Sequence, residues 1–510
     1  MHARQFTLSA AVLGNACLHA ERAALIDDDR TISHRELEHR TNRLARVLMS
    51  RGVAKGDRIA LLLNDSAQFI ELLIAAGKAG AIAVLLNWRL SPHEIARILD
   101  DAGPKLVLRA DRFAPLVATA SVSAELVVAD DAAAVARYEG WAGGGPDGAL
   151  ELGIGQDDPL FMMFTSGTTG RPKGCIHTHG STLAHTMSFA LRRGFTASDN
   201  NLSTNPLFHV AGLGHALSTL VAGGANVFVP RDAGPLAPIE LSLRHGCTLA
   251  LLSKPLLEAR RLADEETRRS LRFRSITAGA GMADPAGVAF VAEEWGALVS
   301  GGWGQTEACG FATMIDYPDM LAHPKSIGWP IPPIEAAVLD AHGRPLDDPE
   351  AEGELGIRGA NVMLGYWNNP EATEAALGTG WLRTGDMAVG SPDGLFTVRG
   401  RLKELIKSGG ENVYPVEVEA VLKDLPGVAD CAVAGVRDRK WGEAVKAFVV
   451  LAPGARFSAE VMTARCRERI AGYKRPRYLE FVEEIPRDHL GKIRRFELSA
   501  RPVEPDQAVA

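Results

Sequence analysis

Ten residues at 165–174, TSGTTGRPKG, combine the chemical groups that a polyphosphate ligand needs. Four of them carry hydroxyls and three are glycines. Glycines let the backbone turn its N–H groups toward a ligand, hydroxyls add donors, and Lys173 adds a positive charge. Because the charge of a polyphosphate must be met by several convergent donors, the stretch predicts a phosphate-binding loop. The apolar run at 160–164 predicts the buried strand that positions this loop.

This stretch differs from the Walker A loop of P-loop kinases and GTPases. That pattern needs a second glycine five residues after the first, followed by lysine and then serine or threonine. Counted from Gly167, the second glycine would fall where the chain has Pro172. From the residues alone, a flexible Gly/Thr loop without a ligand stays open as the alternative.

The order of these residues resembles the phosphate-binding signature of the adenylate-forming superfamily. That group includes acyl-CoA synthetases, the amino-acid adenylation domains of peptide synthetases and beetle luciferases. The resemblance runs from about Ser33 to Lys492 and favours the acyl-CoA synthetase (AMP-forming acid–thiol ligase) family. It implies an α/β fold, with a large N-terminal domain of α/β subdomains and parallel or mixed sheets at 1–400. A small mobile α+β domain with the catalytic lysine would follow at 401–510.

A second stretch at 301–307, GGWGQTE, resembles another signature of this family. An aromatic ring can stack on adenine, a hydroxyl can reach the α-phosphate, and a carboxylate suits Mg²⁺ between phosphates. The family usually has tyrosine where this chain has Trp303, which lacks the hydroxyl. The alternative is a loop with a buried tryptophan and a surface glutamate.

Three further segments resemble family motifs, although each has a plain alternative. In GWLRTGD at 380–386, the resemblance assigns Asp386 to the ribose hydroxyls; the alternative is a turn aspartate. Around the predicted domain joint, it assigns Arg401 to ribose and phosphate, Lys403 to a hinge, and Lys407, Ser408, Gly409 and Gly410 to the pantetheine tunnel. Near the end, PRDHLGK at 486–492 ends on the residue that matches the mobile catalytic lysine, Lys492. For the lysines, the alternative is a solvated surface.

The candidate site residues form four sets. The predicted catalytic residues are Lys492, Thr169, Glu307 and Lys173, with Glu307 also the metal ligand. The predicted ATP and AMP contacts are Thr165, Ser166, Gly167, Thr168, Thr169, Gly170, Lys173, Ala278, Gly279, Ala280, Gly302, Trp303, Gly304, Gln305, Thr306, Asp386, Arg401 and Lys492. The predicted acid pocket contains His209, Leu213, Ala278, Gly302, Phe311 and Met314. The predicted hinge and CoA contacts are Lys403, Lys407, Ser408, Gly409 and Gly410.

Two other patterns carry weaker signals. His177 and His179 lie two apart and could suggest a metal site, but no third ligand is evident and a strand-to-helix turn is favoured. His209 follows Pro-Leu-Phe at 206–208, which the family has beside its carboxylate and acyl pocket. Read without the family, a histidine in an apolar stretch is more often a satisfied core residue.

Composition excludes several classes of protein. The 510 residues carry a net charge of -7, which does not suggest a nucleic-acid partner. The six cysteines are scattered without a CxxC pair, so we expect reduced thiols in a cytoplasmic protein. The N-terminus lacks a long apolar run, so a signal peptide is not expected. The most apolar region, 72–86, contains Lys78 and is too short to span a bilayer.

Hydrophobic periodicity predicts the elements around these motifs. Ser33 with Glu36 predicts a helix start, followed by a strand at 59–63, a helix capped by Ser66 and a strand at 81–86. A strand, helix and strand at this spacing predict a βαβ unit and a parallel sheet. The region 110–155 is rich in Ala, Gly, Asp and Val and predicts variable surface structure.

The resemblance implies two half-reactions. A carboxylate attacks the α-phosphorus of ATP to give acyl-adenylate and pyrophosphate, and the thiol of CoA then displaces AMP, with the small domain rotating about Lys403 between steps. His209 stands where amino-acid-activating relatives carry aspartate, which disfavours amino acids. The segments 205–215, 278–282 and 301–314 contain no Lys or Arg, so we expect an apolar monocarboxylic acid, fatty or aromatic.

The expected ligands are therefore ATP, Mg²⁺, CoA and a small carboxylic acid, without nucleic acid or an integral membrane segment. No carrier-protein domain follows, which favours free CoA. Two alternatives stay open: a stand-alone adenylating enzyme that passes its acyl group to a carrier protein or amine, and a non-catalytic nucleotide-binding relative. A homodimer also stays open.

Overall fold

The computed structural model describes residues 6–27, 30–165, 172–279, 285–348, 350–408, 411–438, 441–455, 461–462, 464, 466, 470, 472–488, 491–504 and 507–508. The chain divides into two compact units. One consists of 1–337, 356–383 and 394–396, and the other of 338–355, 384–393 and 397–510. The predicted boundary between 400 and 401 stays a prediction.

The helices of the described residues are α1 Leu8–Leu18, α2 His34–Ser50, α3 Ala67–Lys78, α4 Pro92–Ala102, α5 Ala114–Val117, α6 Ala132–Gly143, α7 His179–Arg193, α8 Val210–Val221, α9 Ala237–Arg244, α10 Lys254–Leu262, α11 Glu265–Ser270, α12 Pro285–Trp295, α13 Asp319–Ala322, α14 Pro370–Leu377, α15 Pro415–Lys423 and α16 Arg495–Ser499. None of these helices is long and apolar enough to cross a membrane.

The strands are β1 Ala23–Asp27, β2 Arg30–Ser33, β3 Arg58–Leu62, β4 Ile82–Leu85, β5 Leu106–Ala110, β6 Glu125–Ala129, β7 Pro159–Thr165, β8 Lys173–Thr178, β9 Asn200–Ser203, β10 Ala225–Phe228, β11 Leu249–Leu251, β12 Ser275–Ala278, β13 Leu298–Gln305, β14 Gly310–Asp316, β15 Ser326–Pro330, β16 Glu335–Leu339, β17 Glu352–Arg358, β18 Gly365–Tyr366, β19 Leu382–Gly390, β20 Phe396–Arg401, β21 Ile406–Ser408, β22 Glu411–Val413, β23 Val428–Asp438, β24 Gly442–Leu451 and β25 Tyr478–Phe481.

The larger unit contains two sheets. The first has the order β18-β8-β7-β4-β3-β5-β6, in which β7, β4, β3, β5 and β6 are parallel. The second runs β2-β1-β10-β9-β11-β12-β13-β14-β15, with a parallel centre and antiparallel edges. The predicted βαβ unit is confirmed as β3, α3 and β4.

Helix α3 is buried on nearly every side, which explains its continuous apolar sequence. Ser66 caps its first turn by accepting from the N–H of Phe69, and Gly80 follows its end with a φ of 72°. A left-handed φ favours glycine because it has no Cβ. The predicted start and end of this helix are therefore confirmed.

The prediction of variable surface structure at 110–155 is wrong in part. This region supplies strand β6 to the parallel sheet and helix α6 beside α2. Tyr138 on α6 is fully buried and donates to Glu71 at 2.9 Å. An Ala-rich helix with few large apolar residues gives a weak periodic signal, which is why the pattern did not indicate it.

The smaller unit contains an α+β fold at its C-terminal end. Strands β23 and β24 pair antiparallel, β25 pairs parallel with β24, and β21 and β22 extend the sheet. The core includes Val418 and Leu422 of α15 with Val433, Val445 and Leu479 of the sheet. Strands β16, β17, β19 and β20 each have residues in both units.

Candidate active site

The predicted phosphate loop connects strands β7 and β8. These strands pair antiparallel, and Thr165 lies opposite Lys173 at their open end. The predicted contacts Ser166, Gly167, Thr168, Thr169 and Gly170 lie outside the described residues. Gly174 follows directly, and a Cβ on it would lie 2.6 Å from the sulfur of Met162, so this position has no room for a side chain. The loop therefore leaves the carboxyl end of a strand in the parallel sheet, where α/β proteins commonly bind ligands.

Lys173 and Glu307 meet through one tyrosine. The Nζ of Lys173 lies 4.8 Å from the ring centroid of Tyr366, within the range of a cation–π contact. The hydroxyl of Tyr366 donates to Oε1 of Glu307 at 2.8 Å. Two segments 134 residues apart thus come to one place in the larger unit, as the predicted roles of Lys173 and Glu307 require. The sequence analysis missed Tyr366, since two aromatics after a glycine at 365–367 indicate nothing about their partners.

Two hydrogen bonds to backbone carbonyls fix the turn that carries Thr306 and Glu307. His177 on β8 donates from Nε2 to the carbonyl of Thr306 at 2.7 Å, and the N–H of Met363 donates to the carbonyl of Glu307 at 2.9 Å. Burial lowers the pKa of His177 to about 4, although the bond to Thr306 opposes the shift, so the ring is neutral at physiological pH. His177 is therefore a positioning residue for the second signature.

The open alternative of a histidine metal site receives no support. His177 uses one nitrogen on Thr306, and Nδ1 of His179 accepts from the N–H of Leu8 at 3.3 Å. No cluster of three metal-binding side chains is present in the part of the chain that the structure describes. The favoured strand-to-helix turn is confirmed, because β8 ends at Thr178 and α7 begins at His179.

Glu307 has the chemistry of a magnesium ligand. It is half-buried, and its carboxylate accepts one hydrogen bond among the described residues, from Tyr366 to Oε1. Magnesium usually binds one or two protein carboxylates together with substrate phosphates and water. A single carboxylate beside a predicted phosphate loop fits that pattern.

Glycines let strand β13 lie close against β14. A Cβ on Gly302 would lie 2.2 Å from the carbonyl oxygen of Thr313, and one on Gly304 would lie 2.1 Å from that of Gly310. Trp303 between them is 8% exposed. The backbone of this strand is half-buried at Gly302, Gly304 and Gln305. A flat ligand would therefore contact the strand at these residues.

The predicted acid-pocket residues are brought together in part. Gly302 lies opposite Met314, and a Cβ on it would lie 3.2 Å from the ring of Phe311. Leu213 lines a small recess between α7 and α8. Ala278 pairs with Gly301, but its side chain packs in another core with Ile276 and Ala250, away from Leu213. Ala280 lies outside the described residues, whereas Gly279 is described and a Cβ on it would meet nothing within 4 Å.

His209 begins helix α8. Its Nδ1 accepts from the N–H of Ala211 at 3.3 Å, which satisfies one of the free donors of the first helical turn. A Cβ on Gly212 would lie 2.3 Å from the carbonyl of Pro206, so this glycine lets the helix pack on the segment before it. The half-buried ring of His209 is therefore held at the helix N-terminus by local contacts.

Two arginines lie near Phe208. Both come from outside the segments 205–215, 278–282 and 301–314, whose lack of Lys and Arg is the basis for predicting an apolar acid. The guanidinium of Arg89 lies 5.7 Å from the ring centroid of Phe208, and that of Arg231 lies 4.1 Å from the ring of Trp88. Asp65 accepts from the N–H of Leu207 at 2.6 Å. Burial raises the pKa of Asp65 to about 6, and that N–H and the two arginines oppose the shift.

In the smaller unit, Asp386 and Arg401 form an ion pair. Nε of Arg401 lies 2.7 Å from Oδ1 of Asp386, which is 3% exposed. Nη1 of Arg401 also donates to the carbonyl of Thr384 at 3.2 Å. The preceding Gly385 has a φ of 73°, and its N–H donates to Glu354 at 2.8 Å. The two predicted ribose contacts are thus preorganised as one group.

Lys492 is exposed at the end of a tight hairpin. Its N–H donates to the carboxylate of Asp488 at 2.9 Å, and its carbonyl accepts from the N–H of Asp488 at 2.8 Å. Gly491 has a φ of 82°, which favours glycine, and Arg487 donates to its carbonyl at 2.8 Å. Two bonds to Asp488 therefore hold the backbone of Lys492, and its catalytic role stays a prediction.

The predicted hinge and CoA residues are described only in part. Lys403 lies in a 3₁₀ turn at Leu402–Glu404, and Lys407 lies on β21 opposite Asn412. Ser408 is 3% exposed and pairs with Gly442 of β24. Gly409 and Gly410 lie outside the described residues. The roles of these five residues stay predictions.

Comparison with known proteins places the chain in a family. The model of the AMP-binding enzymes matches residues 15–367, and the model of their C-terminal domain matches 417–492. A feruloyl-CoA synthase of Amycolatopsis sp. is 35% identical over 92% of this chain and 94% of its own. A long-chain-fatty-acid–CoA ligase of Mycobacterium tuberculosis is 35% identical over 91% of this chain and 92% of its own.

A solved structure agrees with these matches. The o-succinylbenzoate CoA synthetase of Bacillus subtilis, in complex with its acyl-adenylate intermediate, superimposes with a TM-score of 0.83. It is 31% identical, and the match covers 97% of this chain and 99% of that one. The predicted fold class is confirmed. The chain belongs to the AMP-binding enzymes of the adenylate-forming superfamily, and within them to the acid–thiol ligases of the acyl-CoA synthetase family.

Proposed function

We propose that this protein is an ATP-dependent carboxylate–CoA ligase that activates a monocarboxylic acid with an apolar body, fatty or aromatic, as its acyl-adenylate. The single observation that carries the proposal is the contact of Lys173 and Glu307 through Tyr366. It joins a phosphate-binding cation to a metal-binding carboxylate beside the predicted loop. The names of the similar proteins support CoA as the acyl acceptor.

The chain's own groups divide the work in the first half-reaction. Lys173 and the loop before it neutralise the phosphates of ATP, and Glu307 holds Mg²⁺, which supplies further positive charge when bound. Asp386 and Arg401 bind the ribose. Lys492 bridges the attacking carboxylate and the α-phosphate, where negative charge builds in the transition state. Positioning and charge neutralisation supply most of the catalysis, since the reaction proceeds without a covalent enzyme intermediate.

The second half-reaction uses the other face of the small domain. We place the domain boundary at 400/401 and the hinge at Lys403, so that rotation withdraws Lys492 and presents residues 407–410 to the pantetheine of CoA. Hinge motions of this kind commonly limit turnover. We also place the protein in the cytoplasm, because none of its six cysteines forms a disulfide. Assembly as a homodimer remains a proposal.

The proposal is tested by pyrophosphate release from ATP and Mg²⁺ with a panel of monocarboxylic acids, with and without CoA. The expected result is that one class of acid drives turnover and that CoA converts the product to a thioester and AMP. Pyrophosphate release without a CoA-dependent thioester would instead indicate a carrier protein or amine as acceptor. ATP binding without turnover of any acid would contradict the enzyme proposed here.

Replacing Tyr366 by phenylalanine is expected to lower kcat for adenylate formation by about tenfold. The variant keeps the ring over Lys173 and removes the hydroxyl that orients Glu307, and a hydrogen bond to a charged group contributes about 1.5–3 kcal/mol. The measurement is the Mg²⁺ dependence of pyrophosphate release, in which the variant requires more metal. Tyr317→Phe is the control, since the hydroxyl of Tyr317 reaches Glu293 at 3.4 Å on the surface. Equal metal dependence in both variants would refute the role of Tyr366.

A further inference from the structure

The interface between α7 and α8 contains two histidines with unused hydrogen-bonding capacity. His185 on α7 and His215 on α8 are 2% and 3% exposed. Nδ1 of His185 and both ring nitrogens of His215 have no hydrogen-bond partner among the residues that the structure describes. Both rings pack on Phe189, with centroids 5.9 and 5.7 Å away. Because buried polar atoms without partners destabilise a fold and are few in native proteins, such atoms point to a role other than stability.

His185 lines the small recess that also contains Leu213. Apolar side chains from Phe161, Leu213 and Leu217 form much of its wall. Leu213 belongs to the predicted acid pocket, and Phe311 of the same predicted set stacks on Phe189 at 5.6 Å. The recess is therefore next to the place where the acid is expected to bind.

The two hydroxyl groups that line the recess already donate hydrogen bonds to backbone carbonyls. Thr182 donates to the carbonyl of Thr178 at 2.8 Å, and Thr186 donates to that of Leu183 at 3.2 Å. Nδ1 of His185 is thus the polar atom of the recess lining that is buried without a partner among the described residues. Burial lowers its pKa to about 3, with a smaller contribution from His177, so the ring is neutral and offers one N–H and one lone pair.

Two glycines make the space that His185 occupies. A Cβ on Gly310 would lie 2.5 Å from its Nε2, and a Cβ on Gly214 would lie 2.9 Å from the same atom. Gly310 also has a φ of 133°, which side chains rarely adopt. Neither position admits a side chain unless the ring moves, so the backbone is shaped around this imidazole.

We propose that His185 determines the substrate class of this ligase. The substrate would be an acid that carries an uncharged hydrogen-bonding group at the end opposite its carboxylate, such as the hydroxyl of a 4-hydroxyaryl acid. This inference rests on the proposed function and names the acid for the same site. A hydroxyl can donate to one imidazole nitrogen or accept from the other. A substrate that ends in an alkyl group would leave Nδ1 of His185 without a hydrogen-bond partner. A substrate with a second carboxylate would find no lysine or arginine among the residues that line the recess. The small size of the recess suits one end group rather than a long chain.

The test compares matched acids on the wild type and on His185→Leu. The pairs are 4-hydroxybenzoate with benzoate and 4-hydroxycinnamate with cinnamate, and kcat/KM is measured from CoA-dependent AMP formation. We expect the wild type to favour the hydroxylated acid of at least one pair by about tenfold or more, because a site built to bind a hydroxyl discriminates against the analogue without it. In His185→Leu, this ratio falls to near one while the unhydroxylated acid keeps its rate within a few-fold.

His215→Leu is the matched control. His215 is equally buried and packs on the same Phe189, but it lines a different recess with Asn205 and Gly212. Its loss is expected to leave the ratio unchanged. If His185→Leu does not fold, His185→Phe keeps a ring of similar shape without the nitrogens and is expected to give the same loss of preference.

The outcomes separate the two proposals. Equal rates for both members of every pair, a preference that persists in the folded His185 variants, or a preference for long-chain acids would overturn the role of His185 while the ligase stands. No CoA-dependent AMP formation by the wild type with any acid of the wider panel would overturn the proposed function itself.

Discussion

Replacing Lys492 by alanine is expected to reduce the rate of acyl-adenylate formation by about 10²–10³-fold, the usual cost of removing one donor to a developing charge. Formation of the thioester from a supplied acyl-adenylate and CoA should stay near the wild-type rate. The reason is that charge builds between carboxylate and α-phosphate in the first half-reaction, whereas the proposed domain rotation withdraws Lys492 before the second. Both steps can be measured separately, by pyrophosphate release and by AMP release.

The local structure indicates that Lys492→Ala removes the charged side chain without disturbing the backbone around it. Lys492 is exposed, and it contributes only its own backbone atoms to its hydrogen bonds with Asp488, so alanine preserves these bonds. Lys423→Ala is the control, because this lysine is also exposed and ends helix α15 of the same unit. Equal losses in both half-reactions would show that Lys492 acts through stability or shape rather than charge. An unchanged first half-reaction would remove Lys492 from the catalytic set.

Local patterns in the sequence indicated the elements that carry the site. The apolar run before the glycine-rich loop is strand β7, and the capped helix between two apolar strands is α3. These predictions succeeded because a parallel strand buried on both faces and a helix buried all round require continuous apolar residues. Neither feature depends on knowing a distant partner.

Contacts between distant segments could not be predicted in this way. The hydroxyl of Tyr366 meets Glu307, and His177 meets Thr306, across 59 and 129 residues. A tyrosine or histidine in an apolar stretch looks the same whether it binds a carboxylate, a carbonyl or water. The neighbourhood of Arg89, Arg231 and Phe208 was missed for the same reason, since each comes from a different segment.

Arg193 shows the same limit in the second sheet. Its fully buried side chain donates to Ser275 of β12 at 2.6 Å and to the carbonyl of Leu298 of β13 at 3.0 Å. These strands carry Gly279 at the end of one and Gly302 in the other. Burial lowers the pKa of Arg193 to about 10, with Asp316 opposing the shift. In the sequence this residue is one of two arginines at a helix end, where an exposed position is the usual expectation.

The network around Arg40 leads to the second large expected effect, on stability. Arg40 of α2 and Glu71 of α3 form a bidentate ion pair, with Nη2 at 3.2 Å from Oε2, and their side chains are 3% and 1% exposed. Arg40 also donates to Glu139 of α6 at 3.0 Å, and Tyr138 donates to Glu71. Burial alone would disfavour the charged guanidinium, but the two carboxylates outweigh it and raise the pKa of Arg40.

Glu71→Gln is therefore expected to lower the free energy of unfolding by about 3–5 kcal/mol, because it leaves a buried guanidinium without its closest counter-charge. The measurement is the urea midpoint of the larger unit followed by circular dichroism. Glu139→Gln is the matched control. The side chain of Glu139 is 32% exposed, so the loss of its charge should cost about 1 kcal/mol or less.

The double variant Arg40→Met with Glu71→Met should recover much of the stability lost in Glu71→Gln, since removing both charges also removes their desolvation cost. If the double variant is as unstable as the single variants Arg40→Met and Glu71→Met added together, the helices are held by packing at these positions and the ion pair contributes little.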